Sequence, residues 1–84
     1  MKITVYFKPN TGWDYGVRLI VNVPFLGSRG KSVPIRTTYS DDTKQTIYKI
    51  EIFIPDRLVG EVPEFFIGEL QMLSPQIESV ERAT

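Results

Sequence analysis

Alternation of apolar and polar residues with a period of two is the feature that most restricts the fold of this chain. In a β-strand successive side chains point to opposite faces of the sheet, so this alternation indicates a strand with one buried face. The pattern occurs four times, over residues 2–8, 13–25, 32–39 and 47–54. Short polar links of turn composition separate several of these runs and favour antiparallel pairing. The sequence therefore predicts a mainly antiparallel sheet.

The longest alternating run covers residues 13–25 and predicts the second strand. Every odd-numbered position in it is apolar or aromatic. The even-numbered positions form the other face, which includes the charged Arg18 and the apolar Ile20. Pro24 cannot donate a hydrogen bond to a neighbouring strand, and Gly16 often marks a bulge. We therefore expect this strand to be bent, or to lie at a sheet edge, near these two positions.

After Pro55 the apolar residues change to spacings of three and four, which are typical of an amphipathic helix. The positions of this stripe are Val62, Phe66, Leu70 and Leu73, flanked by Phe65 and Met72. Pro63 suits the first turn of a helix and Pro75 ends it. Gly68 in the middle predicts close packing of the helix on the sheet. Residues 76–81 are suited to a short fifth strand.

These segments together predict an α+β fold, a four- to five-stranded, mainly antiparallel sheet with one C-terminal helix packed on one face. We expect residues 1–84 to form a single compact domain, because a chain of this length supports one core. No stretch approaches the roughly 20 apolar residues of a transmembrane helix. The N-terminal residues alternate instead of forming an apolar signal segment. The chain is therefore predicted to be cytoplasmic, with no membrane partner.

The composition removes much of the usual catalytic chemistry. The sequence contains neither Cys nor His, which supply many nucleophiles, near-neutral acid-base groups and metal ligands. The adjacent acids Asp41 and Asp42 indicate a solvated turn instead of a catalytic pair. Gly30-Lys31-Ser32 ends like a phosphate-binding loop, but the first glycine of that motif would fall at Phe25. We predict no enzyme activity, no cofactor, no metal and no small-molecule substrate.

Charge is distributed unevenly although the sum is zero, with 10 basic and 10 acidic residues. Residues 1–49 carry eight Lys or Arg and three Asp, and residues 50–84 carry two Arg and seven acids, so the halves are +5 and −5. One interpretation is a molecule with a basic side and an acidic side, either of which could meet a charged partner. The other is that the two halves pair in the fold and cancel.

The predicted sheet has a second face, opposite the helix. If Val5, Leu19, Ile35 and Ile52 point to the core, this second face is basic with scattered aromatic residues. Its predicted members also include Lys2, Lys8, Asp14 and Glu51. The candidate partner-binding residues are Tyr6, Arg18, Ile20, Arg36, Lys49 and Phe53 on this face, and Arg29 and Lys31 in the basic loop after the second strand.

Arginine and aromatic residues concentrate binding energy at protein interfaces, so this face predicts a non-enzymatic protein-interaction domain. Ile20, Ile47 and Phe53 are expected to be exposed there. A small chain without cofactors also suits a phage-type inhibitor, for example an anti-CRISPR protein, that occludes a surface of a host complex. No motif carries that finer hypothesis. The alternative function is a sheet that binds single-stranded nucleic acid through rings and cations. An ordinary solvated sheet face would also be polar and charged.

Overall fold

Residues 1–29 and 32–83 are described by a computed structural model of the chain, and their fold is α+β with a four-stranded antiparallel sheet and several short helices. The elements in chain order are β1 (Lys2–Phe7), α1 (Trp13–Val21), α2 (Pro24–Arg29), β2 (Ile35–Tyr39), β3 (Ile47–Phe53), α3 (Asp56–Val59), α4 (Phe66–Gln71) and β4 (Ile77–Ala83).

The sheet has the strand order β2-β3-β1-β4, and all three neighbouring pairs are antiparallel. β1 lies between β3 and β4, with Val5 opposite Ile50 on one side and Val80 on the other. β2 and β3 form a hairpin. The strands predicted at residues 2–8, 32–39 and 47–54 are therefore present with somewhat shorter bounds, and the segment after Pro75 supplies β4.

The prediction of a strand over residues 13–25 is wrong, because this segment forms the helices α1 and α2. The apolar residues at every second position also include pairs four apart, so they fit a helix as well as a strand. The position of Ile20 distinguishes the helix from the strand. In the predicted strand Ile20 would lie on the exposed face, but it is 0% exposed. Gly16 lets α1 approach the sheet, since a Cβ there would lie 3.0 Å from Ile47 Cγ2 and 3.3 Å from Phe7 Cζ.

The predicted C-terminal helix is shorter than expected. α4 buries Phe66 and Leu70 as the stripe predicted, but it ends at Gln71, and the preceding short helix α3 forms separately. The expectation that Gly68 packs closely on the sheet is wrong, because a Cβ at this position would have no atom within 4 Å. Gly68 is an exposed residue of a short surface helix.

The hydrophobic core lies between the helices and one face of the sheet. On β1 and β3 the residues Ile3, Val5, Ile50 and Ile52 are completely buried. Every helix contributes buried residues to the same cluster, among them Ile20, Phe25, Leu58, Phe66 and Leu70. The helices therefore cover this face, and the alternate residues of the strands form a second face on which none of the helices of residues 1–29 and 32–83 lies. Among the described residues, no helix combines the length and apolar character needed to cross a membrane.

Candidate functional site: the open face of the sheet

The uncovered side of the sheet, which we call the open face, consists of the strand residues that alternate with the core positions. Its members are Lys2, Thr4 and Tyr6 of β1, Arg36 and Thr38 of β2, Lys49, Glu51 and Phe53 of β3, and Ser79, Glu81 and Ala83 of β4. Cross-strand pairing places Thr4 between Glu51 and Glu81, and Tyr6 between Lys49 and Ser79. Rings, cations and carboxylates are therefore neighbours on this surface.

Glu51 is the most shielded charged group of the open face, with only 7% of its side chain exposed. Its Oε1 accepts a hydrogen bond from Arg36 Nε at 3.1 Å, and its Oε2 lies 3.3 Å from Lys2 Nζ. Burial by itself raises the pKa of the Glu51 carboxyl, but the hydrogen bonds from Arg36 and Lys2 oppose this and hold the pKa below its usual value. Glu51 thus fixes two cations in place.

Arg36 also contacts an aromatic ring. Its guanidinium carbon lies 5.4 Å from the centroid of the Phe53 ring, within the range of a cation–π contact. Two-thirds of the Arg36 side chain stays exposed, at 66%. Arg36 is therefore held by Glu51 on one side and Phe53 on the other while it remains accessible to a partner.

A second aromatic group on the open face is formed by Tyr6 and by Tyr48, a residue of β3 that joins this face at a bulge. Their ring centroids are 5.6 Å apart and the rings meet edge to face at 66°. Burial raises the pKa of the Tyr6 phenol, and the nearby carboxylate of Glu81 raises it further. Tyr48 is half exposed, at 49%. The pair therefore offers an aromatic surface beside an acid of β4.

Sequence reasoning missed Tyr48 because of a bulge in β3. Thr38 pairs with Lys49 while Tyr39 pairs with Ile47, so Tyr48 is an extra residue in the ladder. The bulge shifts the alternation by one position, and the expectation that Ile47 is exposed is wrong: Ile47 is 0% exposed. No local residue pattern distinguishes this bulge from regular alternation.

The open face brings together half of the predicted partner-binding residues, namely Tyr6, Arg36, Lys49 and Phe53. Arg18 and Ile20 belong instead to α1, so their assignment to this face is wrong; Arg18 is exposed on the helical side and Ile20 is in the core. Arg29 lies in α2, where it pairs with Glu61 and stacks on Phe25. Lys31 lies outside the described residues.

Ion pairing connects the two oppositely charged halves of the chain. The pairs found in the described residues are Lys2–Glu51, Arg36–Glu51 and Arg29–Glu61, and each joins a base from residues 1–49 to an acid from residues 50–84. This favours the interpretation in which the halves mix and cancel. The open face is consequently of mixed charge, less basic than the sequence alone suggested.

No His, Cys, Asp or Glu cluster able to hold a metal ion occurs within residues 1–29 and 32–83. Comparison with protein-family models, with curated proteins and with solved structures gave no match to this chain.

Proposed function

We propose that this chain is a non-enzymatic protein-interaction domain that contacts its partner through the open face. The observation that carries the proposal is the grouping of three rings and an exposed arginine on the sheet face that none of the described helices covers. Solvated sheet faces are typically polar, whereas protein interfaces are enriched in Tyr, Phe and Arg. Tyr48 and Arg36 expose much of their surface and are the principal candidates for binding energy.

The fixed geometry of these groups supports the same proposal. Arg36 is held between Glu51 and Phe53, and Tyr48 lies against Tyr6. Ordering a long side chain at an interface costs roughly 0.5–1.5 kcal/mol, so side chains that are already placed lose less freedom on binding. A rigid sheet carrying such side chains is suited to recognition of a folded surface.

The alternative of single-stranded nucleic-acid binding has weaker support. Such binding needs cations that are available to phosphates. Lys2 and Arg36 both pair with Glu51, and Glu81 adds a further negative charge to the same face. Among the described open-face residues, Lys49 is the cation with no carboxylate within 4.0 Å. A mixed surface of this kind favours a protein partner.

Capture of partners by the tagged domain tests the proposal. The extract comes from cells in which the protein occurs, and it is used with and without nuclease treatment. The tagged wild type is compared with Tyr48→Ala and Arg36→Gln on the open face, and with the matched controls Phe65→Ala and Arg57→Gln elsewhere. Phe65 is 72% exposed and Arg57 is an exposed residue of α3. We expect a partner that survives nuclease and is lost with either open-face variant, since an interface anchor contributes about 2 kcal/mol or more. Equal loss with the controls, or capture that requires nucleic acid, contradicts the proposal.

A finer hypothesis makes the domain a phage-type inhibitor, such as an anti-CRISPR protein, acting in the cytoplasm by occluding a surface of a host complex. Its support is the grouping of aromatic rings and the exposed Arg36 on the open face, a surface suited to covering part of a partner. The direct test is target-DNA cleavage by a purified CRISPR effector in the presence of excess domain. Inhibition that is lost with Tyr48→Ala and kept with Phe65→Ala is the expected outcome. Uninhibited cleavage by the effectors of the host rejects this hypothesis.

A further inference from the structure

The open face contains a shallow groove of about 390 Å³ beside the paired tyrosines. The residues that line it are Tyr6, Phe7, Tyr48, Glu78, Ser79 and Glu81, and we call it the tyrosine groove. Its aromatic rings come from β1 and β3 and its carboxylates from β4. Glu78 is the extra residue at the irregular pairing of β4 with β1, which brings a second acid close to Glu81 on the groove side.

The carboxylates of the tyrosine groove are not neutralised by an ion pair within the described residues, and that of Glu81 lies beside the Tyr6 phenol, whose pKa it raises. The ion pairs among the described residues involve Glu51 and Glu61, and none involves Glu78 or Glu81. Both of these acids are exposed. Lys49 lies opposite Tyr6 on β3 but does not line the groove. The groove therefore combines negative charge with aromatic rings and has no cation among its lining residues.

This combination has a specific chemical complement. The face of an aromatic ring carries negative potential and attracts a cation, and a guanidinium group can stack on the ring while it donates paired hydrogen bonds to a carboxylate. We infer that the tyrosine groove binds an arginine side chain of the protein partner, with the guanidinium group against the Tyr48 ring and hydrogen-bonded to Glu81. The inference rests on the proposed function, because the arginine belongs to the protein that the open face contacts.

The test uses the full ¹⁵N-labelled chain and capped tripeptides. Gly-Arg-Gly is titrated in parallel with Gly-citrulline-Gly, in which the side chain keeps the shape of arginine but lacks the charge, and with Gly-Lys-Gly. We expect saturable shifts of the amide signals of Tyr48, Ser79 and Glu81 with a Kd on the order of 1 mM for the arginine peptide. The citrulline and lysine peptides are expected to bind at least about five-fold more weakly.

Variants of two exposed acids make the test specific. Glu81→Gln is expected to weaken the arginine peptide roughly five-fold, whereas the control Glu69→Gln on α4 leaves its affinity unchanged. Unchanged amide spectra elsewhere in the protein show that each variant is folded. Equal affinity for arginine and citrulline, equal affinity for arginine and lysine, or the absence of saturable shifts in the groove overturns the inference.

The peptide experiment and the capture experiment fail separately. If Tyr48→Ala abolishes partner capture but the arginine peptide does not bind in the tyrosine groove, the arginine inference is wrong and the proposed function stands. If the open-face variants capture the partner as well as wild type does, the proposed function is wrong, whatever the peptide result.

Discussion

Glu51 is an acid that folding removes from solvent on the open face, although no helix of the described part of the chain covers that face. The shield is made by its own partners, because Lys2 and Arg36 reach it from the neighbouring strands and pair with it. Charged side chains of this length cover neighbouring groups with their aliphatic stems while their ends remain polar. Removing one charged member of this group leaves the charge of its partner without compensation. The three side chains therefore stabilise the fold together.

We predict that Glu51 makes stability dependent on pH in the acidic range. Its folded-state pKa is lowered, so its contribution is present above the unfolded value of about 4.3 and is lost as pH falls through the folded value. Glu51→Gln should therefore have a lower Tm than wild type at neutral pH, and the two Tm values should converge in acid. Thermal unfolding followed by circular dichroism from about pH 7 to about pH 3 measures this difference.

Asp41 provides a control for the same pH range. Its carboxylate accepts hydrogen bonds from Thr43 Oγ1 at 2.7 Å and Thr46 Oγ1 at 3.1 Å, and these bonds, led by that of Thr43, lower its pKa. Asp41 lies in the β2–β3 turn, away from the open-face cluster, so Asp41→Asn should remove its own acid sensitivity and leave that of Glu51. Acid sensitivity in Glu51→Gln equal to that of wild type would show that Glu51 is not the group responsible.

At the scale of the elements, two helical glycines make opposite predictions. Gly68 is exposed in α4 with open space where a Cβ would lie, so Gly68→Ala should stabilise the protein by about 0.5–1 kcal/mol. Gly16 lies in α1 against Ile47 and Phe7, where overpacking costs roughly 1–3 kcal/mol and outweighs the helix propensity of Ala. Gly16→Ala should therefore destabilise. Urea unfolding at neutral pH measures both changes, and a stabilised Gly16→Ala would show that α1 can move away from the sheet.

The same helix shows where sequence reasoning succeeds and where it stops. β1, β2 and β3 were predictable because each alternating run is short, rich in β-branched residues and bounded by turn residues or proline. In α1, Trp13, Val17 and Val21 satisfy a spacing of four as well as a spacing of two, and the true signal was Ile20 together with Gly16, a stripe that a strand would expose. Asp14 in the first helical turn also indicates a helix, because negative charge is favoured at a helix N-terminus.

The candidate site was predictable to a similar extent. Tyr6, Arg36, Lys49 and Phe53 follow from strand periodicity, whereas Tyr48 depends on the bulge in β3, which pairing with β2 imposes. Glu78 and Glu81 depend on the position of β4 beside β1, a long-range contact that no local pattern encodes. Site residues whose position depends on a bulge or on the order of the strands could therefore not be predicted from the sequence.

At the scale of the whole molecule, the strand order mixes the charges of the two halves. β4, which carries two acids and one base, pairs with the N-terminal strand β1, and Glu51 of β3 forms ion pairs with both Lys2 and Arg36. The −5 and +5 halves of the sequence therefore do not become two opposite sides of the molecule. Association with a partner through the open face should accordingly depend on shape and local contacts more than on long-range attraction.

This mixing predicts weak binding of single-stranded DNA. A fluorescent thymidine oligonucleotide of about 20 nucleotides should not saturate with up to about 100 µM protein at about 50 mM salt, because phosphate binding needs several unpaired cations. Fluorescence anisotropy measures this directly. If the wild type does bind, Tyr6→Ala shows where, since stacking of bases on the open face would make this variant bind less well. Micromolar affinity that falls steeply with salt and is reduced in Tyr6→Ala would contradict the prediction. The open face would then be a surface that binds nucleic acid and not protein.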